Sequence, residues 1–393
     1  MNKRWRRIGA SVCLAGVLLM SGCGNEAEVA ASVEETQTET ESISVQTEAE
    51  TETETETVEG LQVIEEREEV DGQLQSYLTG EWKDAEVAGR RPLAVMIPNN
   101  AQAMPQYGLS AASVIYEAPV EGRITRLMAI FEDFDDLDHI GPVRSARDYF
   151  VYTAMGFDAF YCNWGLARPY VEELINRDTV HNISAGVEGI YHPADEAYGR
   201  IDRPGYAQEF TGYLFIDGVK EAVERLEYDW EYSEDHVAPF TFAQEGFRAE
   251  YEDAEDATII RPGGTENNSG GYGAYQPYFE YNAEDGLYYR YQDGEPQIDE
   301  MNGEQLAVSN VIFQICHGEV RDSHDYLAFG VHGEGDALVF TNGKVIPGTW
   351  SRMEGDSVPP VFYDEDGNEI VFNQGKTWIC NIWQEYSEYM EYE

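Results

Sequence analysis

Arg91-Pro92-Leu93-Ala94-Val95-Met96-Ile97-Pro98 is a run of five apolar residues held between two prolines. Proline has no backbone N–H and a fixed φ, so it bounds a strand more readily than it sits inside one. The run reads as a short buried strand. Downstream, Ser113-Val114-Ile115-Tyr116-Glu117 reads as a second strand. Ile124 to Phe131 reads as a third, with Thr125, Leu127, Ala129 and Phe131 alternating against Arg126, Met128 and Ile130. Gly141-Pro142-Val143-Arg144-Ser145 then opens a helix, with Ser145 as its N-cap and Asp148 as the capping-box partner. Pro169 can start another short helix. Val219, Ala222, Val223 and Leu226 form an i, i+3, i+4, i+7 stripe, the mark of an amphipathic helix. Strands mixed with helices, without a regular βαβ rhythm, give an α+β fold.

Beyond Trp230 the texture changes. Asp285-Gly286, Asp293-Gly294, Asn302-Gly303, Asn342-Gly343 and Asp366-Gly367 are hairpin dipeptides between apolar or aromatic runs. Val308 to Cys316, Ala337 to Thr341 and Glu369 to Asn373 read as strands. This half is β-rich, and the boundary between the halves falls near residues 228–236.

Toward the N-terminus, order gives way to a run of different composition. Thr47 to Thr57 nearly alternates Thr and Glu, and no Lys or Arg occurs between Arg7 and Arg67. Such a run has nothing to bury and reads as an acidic tether over residues 23–80. Before it, Lys3, Arg4, Arg6 and Arg7 precede an apolar stretch from Ile8 to Met20, too short to span a bilayer and shaped like a signal-peptide core. It ends in Met20-Ser21-Gly22-Cys23, which resembles a bacterial lipobox with Met where Leu is usual. Cleavage after residue 22 would make Cys23 the acylated first residue, anchored to the membrane by two chains. Cys162, Cys316 and Cys380 then remain, an odd number that permits at most one bridge and favours buried free thiols.

The 393 residues carry 25 Lys+Arg against 75 Asp+Glu, a net charge of −50, and loss of four basic residues with the signal takes it to −54. That acidity excludes nucleic acid as a partner, since phosphate binding needs a basic footprint. An apolar content of 42% is enough for a real core.

Five segments of the first half resemble the YerB-like lipoprotein family of Gram-positive bacteria. They are Arg91 to Ile97, Gly108-Leu109-Ser110, Val114 to Glu117, Glu121-Gly122-Arg123-Ile124-Thr125-Arg126, and Gly141 to Arg147. In the second half, Gly286 to Arg290, Asn310-Val311, Asn342-Gly343-Lys344, Gly348-Thr349-Trp350 and Gly375 to Ile379 are similar to that family's C-terminal domain. The resemblance implies a three-layer α+β first domain over residues 81–232 and a β-rich second domain over 233–393. It implies no reaction, because both domains of the family carry unknown-function labels. One segment departs: where the family tends to have Ala-Pro-His-Asn, this chain reads Arg203-Pro204-Gly205-Tyr206-Ala207.

The sharpest chemical feature is an arginine cluster. Arg123, Arg126, Arg144 and Arg147 fall within 25 positions of a very acidic chain. Arg144 and Arg147 flank the expected helix N-terminus, where free N–H groups favour an anion. With Ser145, Glu117 and Glu121 they make a candidate ligand site for a carboxylate or phosphate. The alternative is a structural network in which Glu117, Glu121 and Asp148 neutralise the arginines, Glu117 facing Arg126 across the turn at Pro119. Cys316, His317, His324 and His332 match no metal-ligand spacing. Gly375-Lys376-Thr377 lacks the earlier glycine of a phosphate loop, since Ile370 stands there. No cofactor is expected, and no catalytic set is recognisable. Tyr272, Tyr275, Tyr278, Tyr281, Tyr288, Tyr289 and Tyr291 supply either half-exposed strand residues or contact area for a glycan or protein. The sequence therefore points to a lipid-anchored extracytoplasmic binding or scaffold protein with an envelope protein or glycan partner. The alternative is an envelope enzyme acting on a wall-derived or small anionic substrate at the Arg-rich site.

Overall fold

The proline-bounded run is β1 (Leu93–Pro98), next to the hairpin of β2 (Val114–Val120) and β3 (Ile124–Phe131). In β1 the side chains of Ala94 and Met96 enter a first core while Leu93, Val95 and Ile97 enter a second. Both faces of the strand are covered, which is why its apolar residues are continuous instead of alternating. The computed structural model describes residues 60–353 and 355–393. The expected signal peptide, Cys23 and the Thr/Glu run lie outside the described residues.

Three helices supply the cover. α1 (Asp148–Gly156) precedes β4 (Phe160–Asn163), and α2 (Arg168–Ile175), with Pro169 in its first turn, precedes β5 (Asn182–Ser184). α1 and α2 send Tyr149, Phe150, Ala154, Val171 and Leu174 into the first core. α3 (Ile216–Leu226) sends Ile216, Val219, Ala222 and Val223 into the second, as its stripe requires. β1, β4 and β5 are parallel neighbours.

Ser145 is not the N-cap. The helix begins at Asp148 with Arg147 in the cap position, and no side chain caps it. The reason is local pairing: Ala146 N donates to Gly165 O at 2.8 Å, keeping the chain extended for two residues beyond the expected start. Ser145 Oγ instead faces Trp164 O at 3.5 Å.

In the second half, β6 (Ile259–Arg261), β7 (Tyr278–Asn282), β8 (Leu287–Gln292) and β9 (Ala307–Val308) belong to one smaller sheet. β10 (Asn310–Cys316), β11 (Gly333–Thr341), β12 (Lys344–Arg352) and β13 (Thr377–Trp383) belong to the large one. The expected strand from Val308 to Cys316 is divided at Ser309. There Ser309 N and Asn310 N both donate to Lys376 O, and the chain passes from one sheet to the other. Asn342-Gly343 turns β11 into β12 with φ of 52° and 71°, both in the left-handed region such a two-residue turn requires. The expected strand at Glu369 to Asn373 is reduced to Val371–Phe372.

The change of texture near residues 228–236 does not interrupt the sheet. β13 pairs in parallel with β10 on one side and with β2 on the other, Ile379 lying opposite Ile312 and Tyr116. The strand order is thus β12-β11-β10-β13-β2-β3-β1-β4-β5, with Glu255–Asp256 at one end and Val361–Asp364 also beside β12. Leu61–Glu393 forms one compact unit.

Residues 61–80, read from composition as tether, are packed. Ile64 N donates to Phe242 O, Gln73–Gln75 pairs with Trp82–Asp84, and Leu78 is fully buried. A few apolar residues among the glutamates suffice, because they meet Phe242 and its neighbours. Cys162, Cys316 and Cys380 are all buried free thiols.

Candidate functional site

The strand period of two separates the expected site into two. Ala118 lies opposite Arg126 and Glu117 opposite Leu127. Glu117, Thr125 and Leu127 therefore share one face of the sheet, and Arg126 points to the other. The expected pairing of Glu117 with Arg126 does not form. Glu117 accepts instead from Thr125 Oγ1 at 2.7 Å, Asn99 Nδ2 at 3.0 Å, Trp378 Nε1 at 3.0 Å and Arg290 Nη2 at 2.8 Å.

On the opposite face, most of the arginines have partners. Arg147 donates through Nε to Glu121 Oε1 at 2.9 Å and through Nη2 to Glu121 Oε2 at 2.5 Å, a two-pronged pair. Arg144 Nη1 meets Glu209 Oε2 at 2.8 Å. Asp148, in the first turn of α1, is paired with Arg321 at 2.6 Å, so the protein's own carboxylate occupies the favourable end of that helix. Arg123 is exposed at φ 61° on the β2–β3 turn and makes no ion pair among the described residues. Arg126 is 6% exposed and has a carbonyl, Ser145 O at 2.7 Å, but no paired carboxylate among the described residues. Burial, and after it Arg147 and Arg144, push its pKa down to about 9. Geometry thus brings Arg126, Arg144, Ser145, Arg147 and Glu121 together and leaves out Glu117 and Arg123.

A concave feature that no sequence motif marks lies elsewhere on the molecule. A groove of about 760 Å³ runs between Leu109, Ser110 and Ile115 on one wall and Tyr289, Leu306, Lys376 and Trp378 on the other. Its walls are tied together. Asp299 accepts from Gly108 N at 2.9 Å and from Ser110 N at 2.6 Å, and the Lys376 ammonium donates to Ser110 O. Burial lowers the pKa of Lys376. Leu109, Ile115 and Trp378 give the lining an apolar part, and Ser110, Asn302 and Glu304 a polar one. That is the composition of a ligand-binding surface. Of the tyrosines, Tyr272 and Tyr288 belong to the core, whereas Tyr278, Tyr289 and Tyr291 are half-buried, Tyr278 and Tyr291 stacked at 4.6 Å.

Residues 78–238 match the N-terminal domain, and residues 269–379 the C-terminal domain, of the family described as "Protein of unknown function (DUF3048)". The chain belongs to this family. A relative, "Putative lipoprotein YerB" of Bacillus subtilis (strain 168), is 29% identical over 308 residues, covering 78% of this chain and 86% of the relative. The crystal structure of the YerB protein from Bacillus subtilis superimposes with a TM-score of 0.63 at 26% identity, covering 80% of this chain and 98% of that one. The groove accordingly lies where the two DUF3048 domains meet, and Glu117 and Arg290 come from different domains. The segment Arg203 to Ala207 has a structural role here. Arg203 donates to Pro105 O at 2.9 Å and to Glu300 at 2.9 Å, and Tyr206 Oη donates to Met104 O at 2.9 Å.

Proposed function

We propose that this DUF3048 protein is a lipid-anchored, extracytoplasmic binding or scaffold component of the cell envelope, and that it engages its partner through the interdomain groove. Anchoring is supported by the basic start, short apolar core and Ser21-Gly22-Cys23, and by the name "Putative lipoprotein YerB" of the Bacillus relative. Two acyl chains on Cys23 would hold it at the outer face of the cell membrane. The single observation that carries the binding reading is the groove itself, with walls from both domains, a mixed lining and fixed edges. A protein or a glycan fits that lining better than a small charged metabolite does. The three-layer arrangement expected of the first domain is part of this proposal, supported by helices against both faces of β1.

The test is site-specific photocrosslinking in intact cells. A crosslinker at Tyr289, in the groove, should capture a defined envelope protein or glycan, and one at the exposed Tyr191 should not. Capture should fall when Cys23→Ala releases the protein from the membrane. Equal capture at both positions would sink the groove assignment, and unchanged membrane retention of Cys23→Ala would sink the anchor.

A further inference from the structure

β9 gives the interdomain groove an edge of unpaired backbone. Among the described residues it pairs with β8 alone, Tyr288 lying opposite Val308 and Tyr289 opposite Ala307. Arg290 N donates to Leu306 O at 2.8 Å, which fixes the phase of this antiparallel ladder. Hydrogen-bonded and non-hydrogen-bonded pairs alternate along such a ladder. Arg290 and Leu306 stand at a bonded position, so Tyr289 and Ala307 do not bond each other. The N–H and C=O of Ala307 therefore point away from β8, on the edge that lines the groove.

The flanking residues repeat the pattern. Leu306 N donates to Gln297 O and Asp299 N to Glu304 O, with Ile298 opposite Gln305. By the same alternation the backbone groups of Gln305 turn outward as well. Ser309, the next residue of that parity, is satisfied, its N donating to Lys376 O at 2.9 Å. The chain's own Lys376 thus closes one end of the edge. Gln305 and Ala307 are left without an outward backbone partner among the described residues. Such groups recur every second residue, about 6.8 Å apart, which an extended peptide matches and a glycan does not. Charge narrows the choice further. The lining holds Glu81 and Glu304 against one cation, Lys376, whose ammonium is given to Ser110 O.

We infer that the groove binds an extended, basic segment of a partner protein, which adds as a strand along Gln305 to Ala307. This rests on the groove as the binding surface and names what fills it. Main-chain bonds to the open edge hold the segment, and its alternate side chains, one of them basic beside Glu304, select it.

The test uses the photocrosslinker at Tyr289 in intact cells, in wild type, Ala307→Val and Ala307→Pro. Proline removes the outward N–H and no bond made within the chain, so the melting temperature should hold. Capture of a protein should persist in Ala307→Val and fall about tenfold or more in Ala307→Pro, where the segment's carbonyl loses its donor. Glu304→Lys should lower capture several-fold. The support lies in these contrasts and not in capture by itself. Equal capture in Ala307→Pro and Ala307→Val overturns strand addition and leaves the groove reading standing. Undiminished capture in Glu304→Lys overturns the basic segment. Capture of a glycan, or of a second copy of this chain, overturns the partner protein. No capture in wild type sinks the groove and this inference together. Hydrogen exchange on the purified full-length protein in mild detergent decides the premise even if Ala307→Pro does not fold. The Ala307 amide should exchange fast and that of Arg290 slowly, and a protected Ala307 amide overturns the proposal.

Discussion

Arg290 Nη2 lies 2.8 Å from Glu117 Oε2, and both side chains are completely buried. The guanidinium sits over Phe279 at 4.6 Å and over Trp378 at 4.7 Å. One partner comes from each DUF3048 domain, so an ion pair withdrawn from water joins the two.

Removing one partner strands the other charge in a medium that cannot solvate it. Arg290→Met or Glu117→Gln alone should therefore lower stability by about 3–5 kcal/mol. The double variant should lose clearly less than the sum, since no lone charge is left. Urea unfolding of the three variants measures this, and simple additivity would show that the pair is not coupled.

Glu132 offers a pH-dependent test. It is fully buried, its Oε2 accepts from Ser76 Oγ at 2.7 Å, and its Oε1 has no partner among the described residues. Burial raises its pKa to about 7, against weaker lowering by the Ser76 hydrogen bond, Lys83 and Arg67. The folded state thus holds a proton that the unfolded state releases near pH 4.5. The stability is fully present below that pH and is lost as pH rises through about 7. Glu132→Gln, which stays neutral, should flatten this slope and gain stability relative to wild type by a few kcal/mol between pH 5 and 8. Chemical unfolding at several pH values checks the sign, and parallel curves would refute it.

The packing of residues 61–80 separates two deletions. Removing Glu34 to Glu59 takes away a run with little apolar surface and should leave the melting temperature unchanged. Extending the deletion to Gly80 removes buried Leu78 and the Ser76–Glu132 hydrogen bond, and should lower it by many degrees. Differential scanning of both proteins decides.

Gly218, in the first turn of α3, has no room for a side chain. A Cβ there would collide with Glu196 O and Ala197 Cα of the neighbouring 3-10 turn, both backbone atoms. Gly218→Ala should destabilise by about 2 kcal/mol despite alanine's better helix propensity. An unchanged or raised denaturation midpoint would mean that the turn yields.

The first half was legible because its strands carry their boundaries in proline and their facing in alternation. Ile124–Phe131 and the stripe of α3 lie where the pattern puts them. What pattern could not give was pairing between distant segments. Nothing in Thr377–Trp383 says that it lies between Asn310–Cys316 and Val114–Val120. The facing of Glu117 was recoverable, since it shares parity with Ile115 and not with Tyr116, but its partner Arg290 lies 173 positions away. The groove was invisible for the same reason, its walls being far apart in the chain.

The central place of Thr377–Trp383 sets an order of events in time. Those seven residues come later in the chain than both strands they lie between. Until they are made, Val114–Val120 and Asn310–Cys316 each expose a row of unpaired backbone groups. Such edges invite pairing with other chains. A protein that crosses the membrane N-terminus first would thus hold both edges open until Thr377–Trp383 arrives. A stop codon at residue 376 would leave two open edges in the middle of one sheet.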